Sequence, residues 1–301
     1  MRHEPVLVNE VLSALKVSKS MKVIDCTLGD AGHAQAILDV IGKNGCLLGI
    51  DADAEGLLRA KRYLYKYEDN FIAVRDNFIN LSDIIKKNNF PKADAVLFDL
   101  GWSLQQFTER SRGFSFQNLD EDLDMRYSVD QSNKGLNDIT AERVINEYSI
   151  QQLSDVFRRY GEEKLHRHIA KAIVVQRKIK PIKKVRQLVQ IISEQYKKHG
   201  GFFGRLNPAT KVFQALRIEV NYELEALKQA LPQAVSALKP SGRLAVITFH
   251  SLEDRIVKRF FKEQNEKTIF LPNKKPIVPT SEEIAKNPRS RSAKLRVAEK
   301  I

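Results

Sequence analysis

Four short apolar runs recur in the first hundred or so residues, and each carries an acid at or near its end. They are Met21–Thr27 (MKVIDCT), Cys46–Asp51 (CLLGID), Asn70–Asp76 (NFIAVRD) and Asp94–Leu100 (DAVLFDL). Short runs of Val, Ile, Leu and Phe without polar alternation predict strands buried on both faces. Between them, His33–Ile41, Ala54–Tyr67 and Asn80–Lys87 space their apolar residues as helices do. This alternation constrains the fold more than any other feature of the chain. It predicts an α/β domain built on a parallel sheet, with helices on both faces and right-handed crossovers. In such sheets ligands bind at the carboxyl ends of the strands, which is where the acids lie.

The pattern changes after Gly101. Thr108–Asn137 reads as charged loop, and Asp138–Lys198 as several helices without a strand. Pro208–Leu238 predicts one long helix, with Asn207 placed to cap it and Pro208 suited to its first turn. A turn signal, Lys239-Pro-Ser-Gly242, then precedes a strand over Arg243–His250, and the sheet is expected to finish near Leu295–Ala298. The expected organisation is a discontinuous α/β domain over residues 1–108 and 208–301, interrupted by a helical substrate-recognition domain over 109–207.

Charge supports a polyanionic partner. The 301 residues carry a formal net charge of +13. Arg158–Arg205 holds +11 and Arg255–Ile301 holds +8, so the remainder is mildly acidic at −6. Two basic segments on an acidic body favour nucleic acid. No run approaches the length of a transmembrane helix, and the N-terminal residues do not resemble a signal peptide. Only Cys26 and Cys46 are present, which excludes a disulfide scaffold or a Cys-based zinc cluster and suits a reducing cytoplasm. The six histidines show no metal-binding spacing, and no metal is expected. No nucleophile elbow is present, so a serine hydrolase is not expected.

The sharpest local signal is Asp25-Cys-Thr-Leu-Gly-Asp-Ala-Gly-His33, which follows a strand and opens a helix. Asp51 closes the next strand, where an acid can accept from both ribose hydroxyls. A dinucleotide and S-adenosylmethionine both fit this outline. Close approach to a pyrophosphate favours glycine where Ala31 stands, and Asp30 would repel phosphate. S-adenosylmethionine has no phosphate, and it is favoured. Asp76-Asn77-Phe78 suits an adenine, and Asp99-Leu-Gly-Trp102 lies where a transferred group would sit. Arg112-Gly-Phe114-Ser-Phe116 and Asp120–Arg126 read as a substrate lid, with the aromatics stacking on a base and the arginines on phosphate, or as a domain-crossing loop plugged by its aromatics. His250 sits after a late strand, with Ser251 placed to cap the following helix and Asp254 at its third helical position.

HEPVLVNEVL, DCTLGDAGH, GIDAD, DLGWSLQQF, RGFSF, DLDMR, YGEEK, NPATKVFQALRIEVN and ITFHSLEDRIVKRF occur in order from His3 to about Ala298. In this the chain resembles the bacterial ribosomal small-subunit RNA methyltransferase H family. The resemblance implies a class I S-adenosylmethionine-dependent methyltransferase sheet, Rossmann-like, with an inserted helical domain. It implies methyl transfer to N4 of a cytidine in the decoding centre of 16S rRNA, in the P-site region of helix 44, with free rRNA or the 30S subunit as partner. A cytoplasmic protein is implied, and the oligomeric state, including a homodimer, is left open. The matching positions imply cofactor contacts at Ala31, Gly32, His33, Asp51, Phe78, Asp99 and Gln106. Trp102, Arg112, Phe114, Phe116, Arg126 and His250 are the candidates for substrate contact, and Asp99 is the candidate for catalysis or for cofactor binding alone.

The departures from the family pattern concentrate on the substrate side. Ala31 replaces a usual glycine, and Trp102, Leu104 and Thr108 replace Val, Ser and Asp. Glu121-Asp122 replaces Gly-Pro, Asn207 a His, and Lys211 an Arg. The rival readings are a non-catalytic RNA-binding or assembly factor on the same fold and, further off, an NAD-dependent oxidoreductase.

Overall fold

The computed structural model describes residues 5–100, 111–127, 139–200 and 207–301. They fall into two compact units, one of residues 1–103 and 224–301 and the other of residues 104–223.

The first unit is a seven-stranded sheet. Its strands are β1 (Lys22–Asp25), β2 (Cys46–Asp51), β3 (Phe71–Arg75), β4 (Ala93–Asp99), β5 (Leu238–Thr248), β6 (Ile269–Phe270) and β7 (Lys294–Lys300), in the order β3-β2-β1-β4-β5-β7-β6. The first five run parallel, and β7 inserts antiparallel between β5 and β6. The five parallel strands are those the strand pattern predicts, and the whole sheet agrees with the class I methyltransferase fold that the resemblance implies. Helices α1 (Val8–Ala14), α2 (Gly32–Ile41), α3 (Ala54–Tyr63) and α4 (Leu81–Lys87) accompany its first half. The inner strands have both faces covered: Ile24, Leu48, Ile50, Val96 and Phe98 belong to one core, and Val23, Leu47, Ala95 and Leu97 to another. That two-sided burial is why these segments read as unbroken apolar runs.

The second unit contains α5 (Ala141–Glu147), α6 (Ile150–Gly161), α7 (His166–Ile179), α8 (Val185–Lys198) and α9 (Ala209–Asn221) around a core of its own. Ser149 opens α6 through a reciprocal capping box with Gln152. Asn207 lies just before α9, and its Oδ1 accepts from the Ala209 backbone N–H at 2.8 Å.

Three local expectations are corrected. The helix predicted over Pro208–Leu238 is two helices, α9 and α10 (Glu223–Ala237), because Tyr222 takes a left-handed conformation, φ 53° and ψ 31°. The strand predicted from Arg243 begins at Leu238. Ala93 pairs with Leu238 and Ala95 with Arg243, so the Lys239–Gly242 turn signal is realised as a bulge within β5. The cap of α11 (Ser251–Gln264) is His250, not Ser251. His250 and Glu253 form the reciprocal capping box, and Phe249 and His250 N–H groups donate to Glu253 Oε2 at 2.8 and 3.2 Å. Among the described residues, no helix is long and apolar enough to cross a membrane.

Candidate active site

The carboxyl ends of β1, β2, β3 and β4 gather the acids that the sequence singled out. Strand register does this directly: Asp25 lies opposite Gly49 on β2 and Leu97 on β4, and Asp51 lies opposite Arg75 on β3. Asp51 organises the turn between β1 and α2. Its Oδ2 accepts from the Gly29 N–H at 2.7 Å, and its Oδ1 from the Asp53 N–H at 2.8 Å.

The turn itself is tight. Gly29 and Ala31 both have positive φ, 51° and 61°. Ala31 thus holds a left-handed conformation that favours glycine, with its methyl group fully buried. Gly32 has a different requirement. A Cβ there would lie 2.8 Å from Pro5 Cγ, so the N-terminal segment closes on the loop only because this residue is glycine.

At the centre stand His33 and Asp25, both buried, and Asp99, which is partly exposed. His33, 6% exposed, opens α2 and directs Nε2 to Asp99 Oδ2 at 3.4 Å. Asp25 is 1% exposed, and its Oδ1 accepts from the Thr27 N–H at 3.0 Å. Thr27 Oγ1 in turn accepts from the Asp99 N–H at 2.6 Å, tying the end of β4 to the loop. Burial lifts the Asp25 pKa to about 6, against the opposing pull of His33 and the Thr27 amide. Burial also works against charging His33, but its hydrogen bond to Asp99 and the charges of Asp99 and Asp25 outweigh it and raise the imidazole pKa.

Phe78 follows β3 in a short 3-10 turn whose cap is Asn77, and its ring meets Phe98 edge-on at 5.5 Å. Asp76 Oδ1 accepts from the Asn77 N–H and from Asn80 Nδ2, at 2.7 and 2.9 Å. Asp30 is also buried, and Arg59 of α3 answers it at 3.2 Å. Trp102 and Gln106, with Leu104 and Thr108, lie outside the described residues.

The substrate candidates of the second unit are placed differently from a row of exposed platforms. Phe114 is buried, its ring stacked on Tyr127 at 5.8 Å and 10°. Phe116 meets Phe213 edge-on at 5.9 Å. Arg112 donates to the carbonyl of Arg126 at 3.2 Å, and Arg126 grips Asp124 through Nε and Nη2 at 2.7 and 2.9 Å. Gly113, at φ 74°, passes against the Asp122 carbonyl with no room for a Cβ. The Glu121-Asp122 pair is absorbed locally. Glu121 accepts from the Gly113 N–H at 2.8 Å, and Asp122 pairs with Lys184 at 2.8 Å. Lys211 donates to the Glu162 carbonyl at 3.1 Å. His250 is the α11 cap, with Nε2 3.1 Å from Glu253 Oε1.

Sequence reasoning missed Thr27, Arg59 and Pro5. Arg59 lies six residues beyond the Asp53 cap, on an amphipathic helix facing Asp30, and an arginine on the inward edge of such a helix was the available signal. Thr27 and Pro5 carried none beyond lying in the DCT and HEP motifs.

The set of backbone amides, carboxylates and a single imidazole suits a ligand that is cationic and free of phosphate. A family model, that of the MraW methylases, matches residues 1–301. The chain belongs to the MraW methylase family. Its cofactor is therefore S-adenosylmethionine, and the dinucleotide reading ends here. Curated relatives named ribosomal RNA small subunit methyltransferase H agree over nearly the whole length. That of Dictyoglomus turgidum is 44% identical, covering 99% of this chain and 97% of its own, and that of Dictyoglomus thermophilum is 45% identical, covering 99% and 96%. Among solved structures, an rRNA methylase from Streptococcus thermophilus covers 100% of this chain and 99% of its own at 11% identity, with a TM-score of 0.47.

Proposed function

We propose that this chain transfers a methyl group from S-adenosylmethionine to N4 of a cytidine in the decoding centre of 16S rRNA, in the P-site region of helix 44. The observation that carries the chemistry is the convergence of Asp25, Asp51 and Asp99 on the Gly29–Gly32 turn, with His33 between two of them. The relatives' names supply the small-subunit rRNA, and the motif resemblance supplies the cytidine. A cytoplasmic location follows from such a substrate.

In this reading Ala31, Gly32 and His33 shape the cradle, Asp51 accepts from the ribose hydroxyls and Phe78 flanks the adenine, with Gln106 completing the set. When bound, the cofactor supplies an electrophilic methyl group on a sulfonium sulfur. The exocyclic amine of cytosine is a weak nucleophile because its lone pair is delocalised into the ring. The Asp99 carboxylate would accept a hydrogen bond from that amine and take up the proton it loses on methylation. His33 orients Asp99 through the 3.4 Å contact, and Thr27 fixes its backbone. Holding the amine in line supplies several kcal/mol of the barrier reduction. Trp102 and His250 are assigned to the base, which must leave its stack to react. Arg112, Phe114, Phe116 and Arg126 are assigned to holding the recognition segment, since their polar or aromatic faces are engaged within their own unit. Residues 109–207 are the substrate-recognition domain in this reading.

The test is tritium transfer from labelled cofactor to 30S subunits lacking the modification and to free 16S rRNA, followed by nuclease digestion. Label in N4-methylcytidine from the decoding centre is expected. Asp99→Asn should lower the rate at saturating cofactor by about 10²-fold or more, in line with general-base catalysis. Label in another nucleoside would refute the target. A loss confined to cofactor affinity would reduce Asp99 to a binding group. Cofactor binding without transfer to either RNA form would favour the non-catalytic factor.

A further inference from the structure

Helix α7 carries charge that its own fold does not use. Its sequence, HRHIAKAIVVQRKI, holds no acidic residue. Ile169, Ala170 and Ile173 face inward into the core of the second unit. Arg167, Lys171 and Lys178 are exposed. At 3.6 residues per turn they fall within about 40° of one another on the outer face, about 6 and then about 10.5 Å apart along the axis. None of the three has a carboxylate partner among the described residues.

Other cations of the unit do have one. Arg126 pairs with Asp124, Arg143 with Glu147, Arg158 with Asp155 and Arg217 with Glu223. Arg177, on α7 itself, turns inward and donates to the Ile145 carbonyl at 2.8 Å. Arg167 stands in the first turn, beside His166 and His168, where the positive end of the helix dipole disfavours a cation. Arg167 is therefore placed against the local stability of the helix, whereas Lys178, in the last turn, is favoured by the dipole. The row also continues onto α8. The rings of His168 and His199 lie 3.9 Å apart, which brings the end of α8, with exposed Lys197 and Lys198, beside the start of α7. Val175 and Ile179 border the row, 55% and 77% exposed.

We propose that this face of α7, continued by the end of α8, is a docking track for the sugar–phosphate backbone of the substrate RNA. Charge complementarity selects the occupant: Arg167, Lys171 and Lys178 share one face of a helix that holds no acid, and exposed Lys197 and Lys198 end α8 beside its start. A flat row without a cavity suits phosphates, which position a complex, rather than base edges, which specify it. The inference rests on RNA being the substrate.

The test is fluorescence anisotropy with the full chain and a labelled RNA hairpin of the decoding region, between 50 and 300 mM KCl. In the triple variant Arg167→Gln, Lys171→Gln, Lys178→Gln, the slope of log K against log salt should be shallower by about 2 to 3, since each phosphate contact contributes about 0.7–0.9. S-adenosylhomocysteine affinity should be unchanged. A matched control, Lys61→Gln, Lys86→Gln, Lys87→Gln, removes the same formal charge from exposed ends of α3 and α4, at the sheet edge opposite the carboxylates. It should leave the slope as it is. An unchanged slope in the α7 variant, or an equal fall in the control, overturns the proposal. So does a loss of binding to 30S particles with RNA binding intact, which would assign this face to a ribosomal protein. A wild-type chain that binds the cofactor but no RNA overturns the substrate reading itself.

Discussion

Replacing Asp25 with asparagine should stabilise the protein at mildly alkaline pH. The residue ends β1 with 1% of its surface exposed. Burial lifts its pKa from 3.8 to about 6. Below the lower value the carboxyl is protonated in both the folded and the unfolded chain and favours neither. As pH rises toward 6 the unfolded chain releases its proton first, so folding loses stability across that window, and above it the loss is complete. About 2 pK units at 1.36 kcal/mol each amount to a penalty of about 3 kcal/mol at pH 8. Asparagine removes the penalty while its amide oxygen still accepts the 3.0 Å bond from the Thr27 N–H. Urea unfolding followed by far-UV circular dichroism, at several pH values from 4 to 8, measures the difference. The two proteins should be within error of each other near pH 4, and the variant should lead by about 2–3 kcal/mol at pH 8. Parallel profiles would refute the reasoning. A wild type more stable at pH 8 would show that attraction to His33 outweighs the burial of the charge.

Two further substitutions probe the same loop. Gly32→Ala should lower stability by about 1–3 kcal/mol, the usual cost of overpacking, because the new Cβ meets Pro5 at 2.8 Å; thermal unfolding with and without S-adenosylhomocysteine would show it, with cofactor affinity falling as well. Arg59→Met should cost about 3 kcal/mol by leaving buried Asp30 unpaired, and adding Asp30→Asn should recover most of that loss in the same denaturation assay.

The strands of the first unit could be read from the sequence because their environment leaves a one-dimensional trace. A strand covered on both faces must be apolar throughout, and Val23, Leu47, Val96 and Phe98 are fully buried. Tyr222 leaves no such trace. A left-handed tyrosine lacks the glycine or asparagine that would announce it, and the helical spacing runs on across it into Glu223–Ala237. The start of β5 was hidden for the opposite reason. Lys239-Pro-Ser-Gly242 is a sound turn signal, with Ser241 at φ 63°, but the chain spends it on a bulge while Leu238 already pairs with Ala93.

The same contrast explains why the two halves of the site differ in how far the sequence alone reveals them. Asp25, Asp51, Asp76 and Asp99 are found together because parallel topology alone brings the carboxyl ends of neighbouring strands side by side, whatever the helices do. The contact between His33 and Asp99 follows once β1 is known to lie beside β4, a register no local pattern encodes. The second unit offers no such shortcut. Phe114 and Phe116 can be read as exposed platforms, the reading the sequence favours, or as interior plugs, because a loop has no periodicity to say which way a ring turns. Only packing decides, and it places Phe114 against Tyr127 and Phe116 against Phe213. For α7 the trace returns, since a helix has a period. Ile169, Ala170 and Ile173 mark the inner face, so Arg167, Lys171 and Lys178 must share the outer one. Chemistry at strand ends is thus fixed by topology and chemistry on a helix by its period, while chemistry in a loop waits for the structure.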